Sequence, residues 1–333
     1  MSVKVGIPRA LLYYYYYPLW KDFFESLGCE VVLSDKSNKG ILDSGIKNTV
    51  DEACLPVKLA FGHVKNLADK PVDYIFIPRL VSVAYKEYIC PKFLGFPDMA
   101  RQNIVGLPAV IDTTISFMRK RHNVDQAYKQ LGKKFSGNPI KVRQAYHKGL
   151  RALAKYNQLL LKGHLPEEAM SIMYDRSAKA SQVKPCGDLN IAIIGHPYNI
   201  YDPYISMNII KRLQSMGVVV VTPDHLSEDE VRHQAGRLPK KLFWTLGQRM
   251  IGAGYHYAES EDIDGIIHIA AFGCGPDSMT GELIERNIRG STKLPFLNLT
   301  LDEHTGEAGV ITRLEAFLDM VRWKNSPKKQ FIS

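Results

Sequence analysis

Cysteine is scarce in this chain: Cys29, Cys54, Cys90, Cys186 and Cys274 are the five in 333 residues. The count is odd and the spacings are wide, with no secretory signal ahead of them. That argues for reduced thiols in a cytoplasmic setting rather than a disulfide framework. No pair stands as C-x2-C, the usual mark of a structural zinc site, and no ferredoxin-type run occurs. Long apolar runs are missing as well. None approaches the roughly 20 residues that span a bilayer, so no membrane association is expected. The opening MSVKVGIPRALL lacks the apolar core and cleavage site of a signal peptide and reads as a strand. There is no G-x-x-x-x-G-K-S/T phosphate loop.

What is present describes a folded, water-exposed protein. Hydrophobic residues make up 45% and charged residues 23%, enough apolar material for a sizeable core. The length suggests two domains. Lys and Arg number 43 against 34 Asp and Glu, a net charge of +9. The basic residues are dispersed, and their densest stretch, 119–148, is helical in pattern without a recognition motif. A solvated basic face is the expected reading, and no nucleic-acid partner. An anionic cofactor such as a CoA thioester, or an acidic partner, is the other use for that charge.

The chain repeats itself. GIPRALLYYYYYPLWKDFFESLGCEVVLSD (6–35) aligns with GHPYNIYDPYISMNIIKRLQSMGVVVVTPD (195–224). Pro8 and Pro197, Gly28 and Gly217, and Asp35 and Asp224 each stand 189 positions apart. Each copy predicts a strand (3–7; 191–195), a Pro-containing turn, a helix stopped by Leu-Gly or Met-Gly, and a Val-rich strand. Third strands follow at 72–78 and 263–270, and fourth strands at 104–110 and 295–299. Alternating strands and helices predict two Rossmann-like, doubly wound parallel-sheet lobes with a cleft between them. The expected divisions are an N-terminal α/β lobe (1–111), a helical insert and linker (112–185), and a C-terminal α/β lobe with a final helix (186–333). The insert shows no convincing strand. Its helical stretch at 141–163 spaces Leu150, Leu153, Ala154, Tyr156, Leu159 and Leu160 as one face, and VKPCGD (183–188) reads as the linker. The last helix is expected from Glu307 to Trp323.

Ligands of open parallel sheets lie beyond the carboxyl ends of the strands. Cys274 follows the third strand of the second half, flanked by glycines in AFGCGPDS (271–278). Asp277 or Ser278 is placed to cap the next helix, and Ser278 to touch a substrate. Cys90 follows the third strand of the first half, and Cys54 precedes a helix with Pro56 in its first turn. A thiol at a helix start is a ready metal ligand or nucleophile. Cys29 and Cys186 look structural. Arg9 and Arg79 follow strand ends, suited to bind phosphate or carboxylate, or to tie loops together. His196 follows the first strand of the second half, placed to touch a substrate, or else simply hydrogen-bonded within the fold. Asp302, Glu303 and His304 follow the last strand, where Glu303 and His304 could serve as acid or base; Thr305 and Glu307 could instead cap the final helix. The five tyrosines 13–17 would cover every face of a helix and cannot form one binding surface. On spacing alone, a shared metal site competes with simply buried thiols.

The motifs GIPRALLYYYYYPLW, EACLPVKLAFGHV, YICPKF, AFGCGPDSM and LDEHTGEAGVITRLEAF, in this order over about residues 3–320, resemble the 2-hydroxyacyl-CoA dehydratase and benzoyl-CoA reductase superfamily. They are closest in kind to its acyl-CoA dehydratase activase-related branch. The resemblance implies two lobes with helices between them. It implies a 4Fe–4S cluster on Cys54, Cys90 and Cys274, one iron left open for substrate, and oxygen sensitivity of an anaerobic type. It also implies reduction by an ATP-dependent activase, either a lyase or a reductase outcome, and a paralogous second subunit or a homodimer. An 8Fe–9S double cubane would need more thiolates than these three. With no phosphate loop, the activase is expected to be a separate chain. Two other readings stand beside this one: a non-catalytic, cluster-carrying electron-transfer partner, and a metal-free bilobal small-molecule-binding protein.

Overall fold

The computed structural model describes residues 2–118, 122–175 and 187–326. The first lobe runs β1 (Lys4–Ile7), α1 (Tyr13–Leu27), β2 (Glu30–Leu33), α2 (Lys39–Lys47), α3 (Leu55–Ala68), β3 (Tyr74–Phe76), β4 (Arg79–Ser82), α4 (Pro91–Asn103), β5 (Ala109–Ile111) and β6 (Thr114–Ser116). Three helices follow: α5 (His122–Lys133), α6 (Pro139–Leu161) and α7 (Pro166–Tyr174). The second lobe runs β7 (Leu189–Gly195), α8 (Pro197–Ile200), α9 (Ile209–Ser215), β8 (Val218–Val221), α10 (Glu228–Ala235), α11 (Thr245–Glu259), β9 (Gly265–Ala271), α12 (Gly275–Ser291), β10 (Phe296–Leu301) and α13 (Glu307–Asn325).

Both lobes hold a four-stranded, wholly parallel sheet, ordered β2-β1-β3-β5 and β8-β7-β9-β10. The two orders are the same, first strand inside and second strand at the edge. The sequence repeat is therefore a repeat of topology. Each chain reversal after the first strand opens a crevice at the carboxyl ends of β1/β3 and β7/β9, where such sheets bind ligands. The helix stops also recur: Gly28 and Gly217 both take left-handed backbone, at φ 94° and 79°.

Two features depart from the sequence reading. Residues 114–116 form β6, inside the stretch expected to lack strands, and pair in parallel with β4 across a register shift. A three-residue strand is too short for an alternation pattern to reveal it. The buried face of α6 is also rotated from the expected one. Ala145, Gly149, Ala152, Tyr156 and Leu160 face inward, Leu150, Leu153 and Leu159 are half-buried, and Ala154 is exposed. Small residues head that face because α1 lies so close that a side chain on Gly149 would begin 2.6 Å from the Leu19 carbonyl oxygen. The linker segment 183–188 and Cys186 fall largely outside the described residues.

Helix α1 is the hub of a core that runs from one sheet to the other. Phe23, Phe24, Trp20 and Phe76 of the first lobe share one apolar cluster with Ile191, Ile267 and Leu314 of the second. Pro18 lies inside α1 and has no N–H to give the Tyr14 carbonyl. The Tyr156 hydroxyl of α6 donates to that carbonyl at 2.6 Å, so the helix insert repairs the gap the proline leaves. No helix among the described residues is long and apolar enough to cross a membrane.

Candidate metal centre

Cys54, Cys90 and Cys274 each occupy the position just before a helix, those of α3, α4 and α12, and each helix has proline in its first turn. Proline is tolerated there because the first N–H groups of a helix have no internal partner. The two lobes bring the three cysteines together. Cys54 and Cys274 belong to one apolar cluster, and Cys54 Cα lies 3.8 Å from where a side chain on Gly273 would begin. Gly273 has a φ of 75°, a conformation that lets the chain turn from β9 into α12 against Cys54. Cys54 is buried, and Cys90 and Cys274 are half-buried.

None of the three helices is capped by a side-chain hydrogen bond. Their positive ends and spare N–H groups therefore face the thiols, an arrangement that favours bound negative charge. Lys92 adds a full charge, with Nζ 3.8 Å from Cys54 Sγ. Burial nevertheless pushes the Cys274 thiol far up, and Asp277 pushes the same way. Burial also raises Cys90, against the pull of the Lys92 N–H and ammonium. Burial thus favours the neutral thiol at Cys90 and Cys274. Three soft donors beneath uncapped helix ends suit a thiolate-ligated iron–sulfur group.

A polar group lines the Cys274 side. One ligand atom each of His196, Cys274 and Asp277 lie within 4.8 Å of one another, the one such group among the described residues. His196 Nε2 stands 3.4 Å from Asp277 Oδ1. Asp277 Oδ2 accepts from Asn199 Nδ2 at 3.1 Å and from the Ala271 N–H at 3.3 Å. Tyr198 packs on His196, ring centroids 5.0 Å apart. Its hydroxyl is held far above its ordinary pKa by burial and then by Cys274, Asp277, Cys54 and Cys90, which places it within electrostatic reach of all three thiols.

The other sequence candidates are occupied elsewhere. The Arg79 guanidinium forks onto Asp98 at 2.6 and 2.8 Å and reaches Asp112 at 3.1 Å, tying α4 to the sheet edge. Arg9 binds the Ser34 carbonyl at 2.8 Å and lines a 580 Å³ cavity with Tyr13, Tyr14, Tyr17 and Asp202. Tyr15 and Tyr16 line a separate 350 Å³ cavity on the other side of α1, so the tyrosine run is split between two spaces. None of the three cysteines lines either cavity. Ser278 Oγ donates to the Cys274 carbonyl at 3.1 Å. Glu303 is ion-paired with the buried Lys58 of α3. Burial acts to raise its carboxyl pKa, but Lys58 prevails and the net direction is down. His304 is exposed, its N–H given to Asp302. Thr305 closes a turn with Asp302, while Gly306 precedes α13 without a side-chain cap. Cys29 is buried, its thiol pushed up to about 11 by that burial. The sequence reading missed Lys92, Lys58 and Asn199 as site residues. Lys92, two residues after a candidate ligand, carried the available signal.

Residues 4–226 match the family described as the CoA enzyme activase uncharacterised domain. The chain belongs to this family. Residues 152–321 also match the 2-hydroxyglutaryl-CoA dehydratase D-component. The first match includes Cys54 and Cys90 and the second Cys274, so the dehydratase-like superfamily spans the whole site. No curated protein matches the chain. Among solved structures, it is similar to a putative phosphosugar isomerase from Silicibacter pomeroyi DSS-3, at 12% identity. That alignment covers 97% of this chain and 85% of the other with a TM-score of 0.19, too low to bear on fold or function.

Proposed function

We propose that the chain is the iron–sulfur component of a 2-hydroxyacyl-CoA dehydratase-like or related low-potential reductase system. The observation that carries the reading is the meeting of three uncapped, cysteine-led helix starts from two lobes, with Lys92 beside them. Cys54, Cys90 and Cys274 would hold one 4Fe–4S cluster. When bound, such a group supplies low-potential one-electron chemistry to an acyl-CoA thioester. A separate ATP-dependent activase delivers the electron, and a paralogous chain or second copy completes the assembly.

The protein's own residues then have definite tasks. The helix ends and Lys92 stabilise thiolate charge. Tyr198 and Phe93, ring centroids 6.1 Å apart, wall the site from water. The Lys58–Glu303 pair joins α3 to the loop after β10 and holds the two lobes at a fixed separation. The test is a spectroscopic titration of anaerobically reconstituted, reduced protein with 2-hydroxyacyl-CoA. A cluster spectrum that shifts saturably supports the substrate reading. A cluster spectrum indifferent to every acyl-CoA favours an electron-carrying partner instead.

A further inference from the structure

Three buried polar atoms beside Cys274 have no hydrogen-bond partner: His196 Nδ1, Asn199 Oδ1 and Asp277 Oδ1. His196 is 3% exposed, Asn199 1% and Asp277 fully buried. Buried polar atoms are normally paired, and each orphan calls for an explanation. One ligand atom each of His196 and Asp277 lies within 4.8 Å of the Cys274 thiol.

Their arrangement has a direction. Ala271 N–H and Asn199 Nδ2 hold one oxygen of Asp277. The other oxygen faces His196 Nε2 at 3.4 Å. Tyr198 packs on the imidazole ring and limits its rotation. The ring therefore has one nitrogen turned to a fixed carboxylate, and the other, Nδ1, is dry and unpaired. A histidine that binds a metal shares this layout: its second ring nitrogen faces a carboxylate, which fixes the tautomer and raises the basicity of the ligating nitrogen; here the 3.4 Å approach is an ion-pair distance and leaves Oδ1 without a hydrogen bond.

We infer that His196 is a fourth, nitrogen ligand for the group held by Cys54, Cys90 and Cys274, and that Asp277 is the positioning residue that orients it. This rests on the three-cysteine reading above and goes beyond it, because three cysteines alone leave one position without a protein ligand. A neutral imidazole adds no negative charge to the centre and leaves more readily than a thiolate. The ring would thus hold the position at rest and yield it to an external ligand.

The experiment uses the full chain reconstituted without oxygen, labelled with 15N-histidine, reduced, and examined by pulsed EPR for nitrogen coupled to the paramagnetic centre. The expected result is a 15N coupling in the parent protein. It is absent in His196→Ala at equal iron content and weakened in Asp277→Asn. Cyanide, as an external ligand, should bind His196→Ala at least tenfold more tightly than the parent. A labelled parent that holds iron through the three cysteines yet shows no histidine coupling overturns the inference and leaves the cluster reading intact. A coupling that persists in His196→Ala overturns it as well. A parent that takes up no iron sinks both. A labelled parent without coupling is decisive by itself, and if His196→Ala folds poorly, His196→Gln reads the same loss of coupling.

Discussion

The buried ion pair between Lys58 and Glu303 is a weak point that can be measured. Lys58 belongs to the helix that begins at Cys54, and its side chain is 5% exposed; Glu303, on the opposite lobe, is 16% exposed. Replacing Glu303 with Gln leaves the ammonium shut between the lobes with its counter-charge gone. Breaking a buried pair in this way costs ~3–5 kcal/mol. Lys58→Met leaves the wetter partner uncompensated, and its loss should be smaller, ~2 kcal/mol, because exposure screens the charge. The double change Lys58→Met/Glu303→Leu removes both charges and should cost less than either single change. Urea denaturation followed by far-UV circular dichroism, with the slope checked for constancy, reads these differences as midpoint shifts. A Glu303→Gln loss under ~1 kcal/mol, or a double variant whose loss equals the sum of the singles, would show that the two charges are not coupled, since uncoupled residues add.

Other consequences follow from single contacts. A Cβ on Gly62 would lie 1.9 Å from the Ile41 carbonyl oxygen, so Gly62→Ala must pry α2 from α3. Overpacking of this kind costs ~1–3 kcal/mol, and an unchanged urea midpoint would contradict it. Tyr156→Phe strands the Tyr14 carbonyl that Pro18 cannot serve, and a calorimetric loss of ~1–3 kcal/mol is expected. His63 is buried between Ser34 and Ser37 and its pKa is lowered to about 3, chiefly by burial. The unfolded chain protonates this histidine near pH 6.5 and the folded chain does not. Below pH 6.5 the unfolded state binds the extra proton, so stability falls with pH at ~1.4 kcal/mol per unit until about pH 3. His63→Gln should flatten that part of the stability curve, and an identical slope would exclude this histidine as its source.

Much of the architecture could be read before the structure. The 189-residue repeat foretold two sheets of one topology, because a repeated strand–turn–helix–strand pattern has few ways to fold. The same logic put Cys54, Cys90 and Cys274 near strand ends or helix starts. Other features were hidden. The face of α6 was misjudged because a close helix crossing selects Gly149 and Ala152 over larger residues, which a search for leucine periodicity passes by. Arg79 resembled an anion binder, yet Asp98 and Asp112, which engage it, lie 19 and 33 positions further along the chain. Lys58 and Glu303 are 245 positions apart, a pairing that only the closed lobes bring about. Asp277 read as a helix cap because its sequence position suits one; its contacts to His196 and Asn199 need the start of the second lobe.

Three cysteines from two lobes are proposed to hold one cluster. Iron and acid-labile sulfide per chain, measured on protein reconstituted without oxygen, tests it most directly. About four of each are expected, lost on Ser substitution of Cys54, Cys90 or Cys274 while the circular dichroism of both lobes is retained. Substitution of Cys29 should leave the iron in place. A chain that binds no iron, or iron that survives all three substitutions, would contradict it.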